Sequence, residues 1–328
     1  MQLQQLRYFL AVAETRHFTR AAEAAHVAQP SLSQQIRSLE RELGAELFHR
    51  ARGNIALTDA GEALLPLARR IIADTESARH AVQETVQLRR GRVRLGAPPS
   101  LCTSLVPDVL RAFRDRHPGV ALVVREGGSG DLVPALTSGE LDLALVITRR
   151  NGAGSQSAHP LAVTELLHEE LVLVEREAAE GGPGGSGGRA PAGRKPARRR
   201  GVRVTELRGR PLVMFREGYD LREATLTACR AAGFEPELAV EGGEMDAVLG
   251  FVRAGLGPAV LPGMVAARSG LAVTPFAAPG LGRTIAVAHG SEVPLTRAAE
   301  ALRTTLLDHL HDAARSGELP PGTRLLLE

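Results

Sequence analysis

The sequence predicts a mixed fold in three parts: an all-α N-terminal unit, one long helix, and an α/β remainder. Three observations carry this. Apolar residues recur at helical spacing through positions 1–57. A heptad seam then runs from Leu64 to Thr85 within a helical stretch over 58–90. From 92 onward, short apolar runs alternate with helical patterns, which predicts a parallel sheet with right-handed crossovers.

Each element has its own signal. Leu3, Leu6, Phe9, Leu10 and Ala13 predict the first helix. Phe18 and Thr19 open the second, with Thr19 as N-cap and Ala21, Ala22 and Ala25 as a small inward face. In the third helix Pro30 suits the first turn. Ile36, Leu39 and Leu43 form its buried stripe, and Gly44 ends it. Leu47 and Phe48 start a short ribbon that turns at Gly53-Asn54 and returns through Ile55 and Leu57.

Thr58 caps the long helix, with Asp59 and Glu62 near its positive end. Leu64, Ala68, Ile71, Thr75, Ala78, Val82 and Thr85 make a heptad seam on a rod of roughly 45 Å. A seam with no home in either flanking unit predicts a partner helix. Leu64, Ala68, Ile71, Ala78 and Val82 are therefore the candidate dimerisation residues.

In the α/β part, Val93–Gly96, Val120–Val124 and Leu141–Ile147 read as strands. Between them lie a helix capped by Ser100, carrying Leu105, Val109, Leu110 and Phe113, and a short helix capped by Ser129 or Asp131 that ends at Gly139. A second unit follows. Its strands are Leu171–Val174, Leu212–Phe215, Glu237–Glu241, Pro258–Leu261 and Thr284–Ala288. Its helices are one opened by a capping box at Asp220–Glu223, one over Met245–Ala254, and a last one over 294–314. Residues 178–201 interrupt this unit with glycine, proline and arginine and no hydrophobic period, which predicts a disordered basic insertion.

Composition narrows the class. The chain has 328 residues, 44% hydrophobic and 23% charged, as expected of a globular protein of two or three domains. No run of eighteen apolar residues predicts a membrane helix, and residues 1–10 lack the basic start of a secretory signal. Two cysteines, Cys102 and Cys229, make neither a disulfide framework nor a zinc site, and suit a reducing compartment. A cytoplasmic location is expected, with no membrane partner, metal or cofactor. The net charge of +3 is local in origin: residues 178–203 hold seven basic side chains against Glu180 alone. Charge by itself therefore does not point to nucleic acid.

The residues themselves do. The string Phe18-Thr19-Arg20-Ala21-Ala22-Glu23-Ala24-Ala25, then Gln29-Pro30-Ser31-Leu32-Ser33-Gln34-Gln35-Ile36, Leu39-Glu40, Leu43-Gly44, Leu47-Phe48, Arg50 and Leu57-Thr58-Asp59-Ala60-Gly61 resembles the LysR-type transcriptional regulators. The second half resembles them through Gly96, Leu105-Val106-Pro107, Phe113, Pro118, Gly139-Glu140-Leu141-Asp142-Leu143 and Gly255-Leu256-Gly257.

The resemblance implies a winged helix-turn-helix over 1–57, a dimerising linker helix over 58–90, and a two-lobed effector domain over 91–315 like a periplasmic binding protein. Lobe I is expected over 91–164 and 269–315, lobe II over 165–268, with a tail at 316–328. It implies a cytoplasmic, sequence-specific regulator. That regulator binds a pseudo-palindromic promoter site as a dimer or dimer of dimers, with RNA polymerase as partner where the output is activation.

In a helix-turn-helix the second helix enters the major groove. The residues placed to read or hold DNA are Thr19, Gln29, Pro30, Ser31, Ser33, Gln34 and Arg37, with Arg50 and Arg52 on the wing. Gln29 and Gln34 can pair with adenine, and Pro30 and Leu32 can meet a thymine methyl. Many relatives carry a basic residue at the position of Gln34, so their base preference does not transfer.

In doubly wound sheets ligands sit at the carboxyl ends of strands. These are Pro99, Ser100, Leu101 and Cys102; Gly128 and Ser129; Thr148 and Arg149; and, in lobe II, Phe215, Arg216, Tyr219 and Glu241. Helix starts at Ser100 and Ser129 suit a carboxylate on a small-molecule effector. Cys102 at a helix start raises the idea of redox sensing.

The rival class is an enzyme. The motifs His-Glu-x-x-His and Gly-x-x-x-x-Gly-Lys are missing. Gly184–Gly188 matches Gly-x-Ser-x-Gly only inside the glycine-rich insertion, with no strand before it. No catalytic activity is expected. An intracellular ligand carrier would need neither a reader helix nor a rod.

Overall fold

The computed structural model describes residues 1–51, 54–86, 91–148, 161–176, 201–291 and 294–327. Arg52 and Arg149 lie outside these residues, as does all of the expected insertion except Gly201.

Three helices, α1 (Leu3–Thr15), α2 (Phe18–Ala24) and α3 (Gln29–Leu43), pack around Leu6, Phe9, Val12, Ala22, Leu32 and Ile36. The cap of α2 is His17, whose Nδ1 accepts from Thr19 N at 3.2 Å. Thr19 is thus inside the helix and not its cap, because the His17 ring two residues earlier takes the free amide. The strands β1 (Phe48–Ala51) and β2 (Asn54–Leu57) pair antiparallel as the expected ribbon. Phe48 closes the core, its ring centroid 5.3 Å from that of Phe9.

The long helix α4 spans Asp59–Val86 and is capped by Thr58, whose Oγ1 accepts from Gly61 N at 3.1 Å. Its seam is not free throughout. Ala68 is fully buried, and Leu64 and Ile71 pack on the same core as α1. These three therefore serve their own N-terminal unit, and the expected home-less seam begins only beyond them. Ala78 is exposed; the side chain of Val82 is outside the description.

The α/β part continues with β3 (Arg92–Ala97), α5 (Pro99–Cys102), α6 (Val106–Arg116), β4 (Ala121–Glu126), α7 (Ser129–Thr137), β5 (Leu143–Thr148) and β6 (Leu161–Glu175). After it come β7 (Leu212–Met214), α8 (Asp220–Ala231), β8 (Leu238–Glu241), α9 (Met245–Arg253), β9 (Ala259–Pro262) and α10 (Gly263–Ala266). The chain ends with β10 (Ala272–Pro275), β11 (Leu281–Gly290), α11 (Arg297–Ser316) and β12 (Thr323–Leu325).

The main sheet runs β10-β6-β11-β5-β3-β4, with β9 and β12 also on β6. It is mixed. β3, β4 and β5 are parallel, whereas β11 is antiparallel to both β5 and β6. The parallel expectation fails at β6 and β11 because these two strands carry the chain between lobes. On β6, Leu166 and Leu167 lie in the lobe I core and Leu171–Val174 in the lobe II core. Leu271, Val273 and Phe276 also pack on the lobe II core, so the expected boundary at 268/269 falls inside lobe II. The expected tail adds β12 to β6, and Leu319, Leu325 and Leu327 pack on lobe I. Among the described residues no helix is long and apolar enough to cross a membrane.

Candidate functional site

The outer face of α3 is polar and its inner face is core. Gln29, Pro30, Ser31, Gln34 and Arg37 are exposed, Ser33 is half-buried, and Thr19 on α2 is exposed nearby in sequence. Leu32 is fully buried, so it holds the core and does not meet a thymine methyl. Two side chains clamp the helix. Buried Gln5 donates through Nε2 to Gln35 Oε1 at 3.3 Å, tying α3 to α1. Glu40 Oε1 accepts from Leu47 N at 3.1 Å, tying α3 to the wing. On the wing, Arg50 pairs by backbone with Ile55.

The second site lies where the lobes meet. Arg283 on β11 faces Glu169 on β6, and both are buried. Arg283 Nε donates to Glu169 Oε2 at 2.8 Å, and Nη1 donates to Ser100 Oγ at 3.0 Å. Nη2 lies 2.7 Å from Glu169 Oε2 but is not angled to donate, so it makes an ion contact and no hydrogen bond. Glu169 Oε1 accepts from Met264 N at 2.8 Å. One ion pair thus ties β6, β11, α5 and α10 together at the crossing. Ser100 is not a cap: Pro98 precedes the first turn of α5, and the Ser100 hydroxyl is spent on Arg283. Pro99 is buried, and Leu101 is a fully buried core residue, which removes its side chain from the ligand set.

Tyr219 is buried and stacks on Phe215, with centroids 4.6 Å apart and planes 7° apart. The Arg216 guanidinium lies 5.9 Å from the Tyr219 ring and pairs with Glu244 at 2.9 Å. The Tyr219 hydroxyl has no hydrogen-bond partner among the described residues. Burial holds its pKa well above the usual phenol value, against the opposing charge of Arg283. Glu126, at the end of β4, is raised above the usual carboxylate range by burial first, then by Glu244 and Asp246, and it shares a hydrogen bond with Glu244.

At the start of α7 the residues meet an unexpected partner. Ser129 N and Oγ both donate to Asp220 Oδ2, at 3.2 and 2.9 Å, and Ser129 Oγ accepts from Ile147 N at 2.9 Å. Asp220 therefore does not cap its own helix: α8 has no side-chain cap, and the carboxylate is spent across the cleft. Gly128 is packed there too, since a Cβ on it would come 3.2 Å from Gly218 O.

The remaining predicted residues divide. Thr148 ends β5 half-buried. Glu241 is exposed and drawn away to Arg222 at 2.6 Å, because Arg222 is anchored by its bond to Phe215 O at 3.0 Å. Cys102 lies 3.7 Å from Ala97 O, and burial, helped by Glu126, pushes its thiol up to about 11. That is the opposite of the lowered pKa a redox thiol uses. Sequence reading missed Glu126, Glu169 and Arg283, and took Asp220 for a cap. The pattern did not single out Glu169, because β6 also carries Glu165, His168 and Glu170; Arg283 is the one formally charged side chain of β11.

The comparisons agree with both halves. A family described as "Bacterial regulatory helix-turn-helix protein, lysR family" matches residues 3–62. A second, "LysR substrate binding domain", matches residues 87–311. The chain belongs to the LysR family. It is a DNA-binding transcriptional regulator with a C-terminal effector-binding domain of two lobes.

Among LysR relatives, the transcriptional dual regulator GltC of Bacillus subtilis is 32% identical, with 80% of this chain and 81% of GltC covered. The probable hydrogen peroxide-inducible genes activator of Mycobacterium avium is 33% identical, covering 85% of each. Full-length OxyR from Pseudomonas aeruginosa superposes with a TM-score of 0.65 at 26% identity, over 93% of this chain and 94% of that one. The regulator CbnR in complex with its target DNA shares the fold, with a TM-score of 0.65 at 22% identity, over 95% of this chain and all of the other. LysR regulators bind DNA and act as oligomers.

Proposed function

We propose that α3 reads base edges in the major groove and that an effector held between the lobes controls the output. The observation that carries the first part is the polar row Gln29, Ser31, Gln34 and Arg37, exposed on a helix whose other face is core. Gln29 and Gln34 supply amides suited to adenine, Ser31, Ser33 and Arg37 suit phosphates, and Thr19, Pro30, Arg50 and Arg52 complete the contact surface. The chain acts in the cytoplasm as a dimer or dimer of dimers on a pseudo-palindromic site. RNA polymerase is the partner where it activates, and the cleft performs no catalysis.

The effector site draws on Ser100, Gly128, Ser129, Thr148, Phe215, Arg216 and Tyr219, with Arg149 the next residue in sequence after Thr148. A carboxylate effector aimed at the start of α7 must displace Asp220, which already sits there. A thiol-based response of the kind that peroxide-named relatives bring to mind gains no support, since burial pushes both Cys102 and Cys229 up to about 11.

Fluorescence anisotropy with DNA from upstream of its own gene, against a scrambled duplex across a salt series, tests the reading. Tight binding to the first duplex alone is expected. Gln29→Ala should weaken specific binding by about 1–3 kcal/mol and leave non-specific binding unchanged. Equal losses on both duplexes would mean that Gln29 only positions the protein.

A further inference from the structure

We propose that α7 is the lever that carries the state of the cleft to the linker helix within one subunit. The proposal rests on the cleft being the effector site. Its two ends are held by different parts of the molecule. At the N-terminal end, Ser129 N and Oγ donate to Asp220 Oδ2 of lobe II at 3.2 and 2.9 Å. At the C-terminal end the linker helix takes over. Ala73 of α4 is buried against Gly139, where a Cβ would stand 2.6 Å from the Ala73 Cβ. Gly139 also needs its positive φ of 72° to turn the chain there, so no other residue fits that junction without strain. Next to it, Glu140 takes Arg125 at 2.5 Å and Arg69 of α4 at 3.5 Å.

The helix between these ends has nine residues, Pro134 among them, and spans about 13 Å from cleft to linker. Its flank is not packed solid. A groove of about 540 Å³ separates it from α4, walled by Pro66, Leu67, Pro134 and Thr137. Leu132, Ala135 and Leu136 seat its inner face on β5 and β11, so the helix moves with the lobe I sheet, is held at both ends and is open only toward α4. Opening the lobes, or a ligand taking the place of Asp220, releases the N-terminal grip. The C-terminal grip then passes that change to Arg69 and Ala73.

The linker helix is in turn locked to the reader. Thr58 N donates to Leu47 O at 3.0 Å, and Leu47 N is the group held by Glu40 of α3. A Cβ on Gly61 would fall 2.2 Å from Leu47 O, so α4 sits hard against that joint.

Amide hydrogen exchange of the full chain, read by mass spectrometry, tests the lever without DNA or effector. Asp220→Asn and, separately, Ser129→Ala should speed exchange roughly two- to thirtyfold in residues 66–76, the range that a coupling of this kind carries. Peptides of α11 should keep the wild-type rate. By reciprocity, Arg69→Gln should speed exchange in residues 220–226. Faster exchange confined to the cleft, with 66–76 as in the wild type, would overturn the proposal. So would equal acceleration in α11, which marks general destabilisation, and so would no change anywhere. Failure of the DNA-binding assay would leave this result standing, since the two experiments share no readout.

Discussion

Asp220 illustrates how a single side chain can be read correctly for its chemistry and wrongly for its partner. A carboxylate at a helix start is expected to serve that helix. Here the free amide of Ser129, on another helix of another lobe, is the better placed donor. The pair Glu169–Arg283 makes the same point at higher cost. Both side chains are buried, so each depends on the other for compensation. Arg283→Met should destabilise the effector domain by about 3–5 kcal/mol, because it strands the Glu169 carboxylate. Urea unfolding of the variant checks this, and adding Glu169→Leu should recover most of the loss. A single variant as stable as the wild type would show that the pair is not the tie between the lobes. Glu169 stands beside His168 and Glu170 in its strand, so only its pairing with Arg283, 114 residues away, showed which charge is buried and what it does.

At the scale of elements, α4 is the instructive case. Its heptad spacing was legible, and the structure divides it by neighbour. Leu64, Ala68 and Ile71 complete the N-terminal core, Ala73 meets lobe I, and Ala78 stands exposed. A charge at Ile71 would therefore disturb the core of its own unit and report little about pairing. Ala78→Glu is the cleaner probe. Light scattering should show a smaller assembly, with the melting of the N-terminal helices unchanged. An assembly of wild-type size at micromolar concentration would place the contact between copies elsewhere on the chain. Strands β10 and β12 escaped sequence reading because both are short edge partners of β6, with too few residues to display a period.

For the whole molecule, charge distribution separates two modes of DNA binding. Residues 1–90 hold twelve arginines against ten acids, so one reader domain supplies little non-specific attraction. The segment 178–203 carries seven basic side chains against the single acid Glu180. If Arg198, Arg199 and Arg200 touch phosphate, deleting 179–200 should lower the salt slope of binding by at least about 1 while sequence preference stays. Anisotropy titrations between low and moderate salt check this, and an unchanged slope removes the segment from the interface.

The order of the elements, the reader helix and its polar row were present in the linear chain. Helical period, caps and strand alternation are local, and a contiguous motif needs no contact map to be seen. The partners of the charged and hydroxyl side chains were not. Which amide Asp220 reaches, what Ser100 holds, and where the seam of α4 finds its cover depend on groups brought together from distant positions. A pattern that repeats every few residues encodes the element, but a hydrogen bond between lobes exists only once the two crossing strands have set their distance.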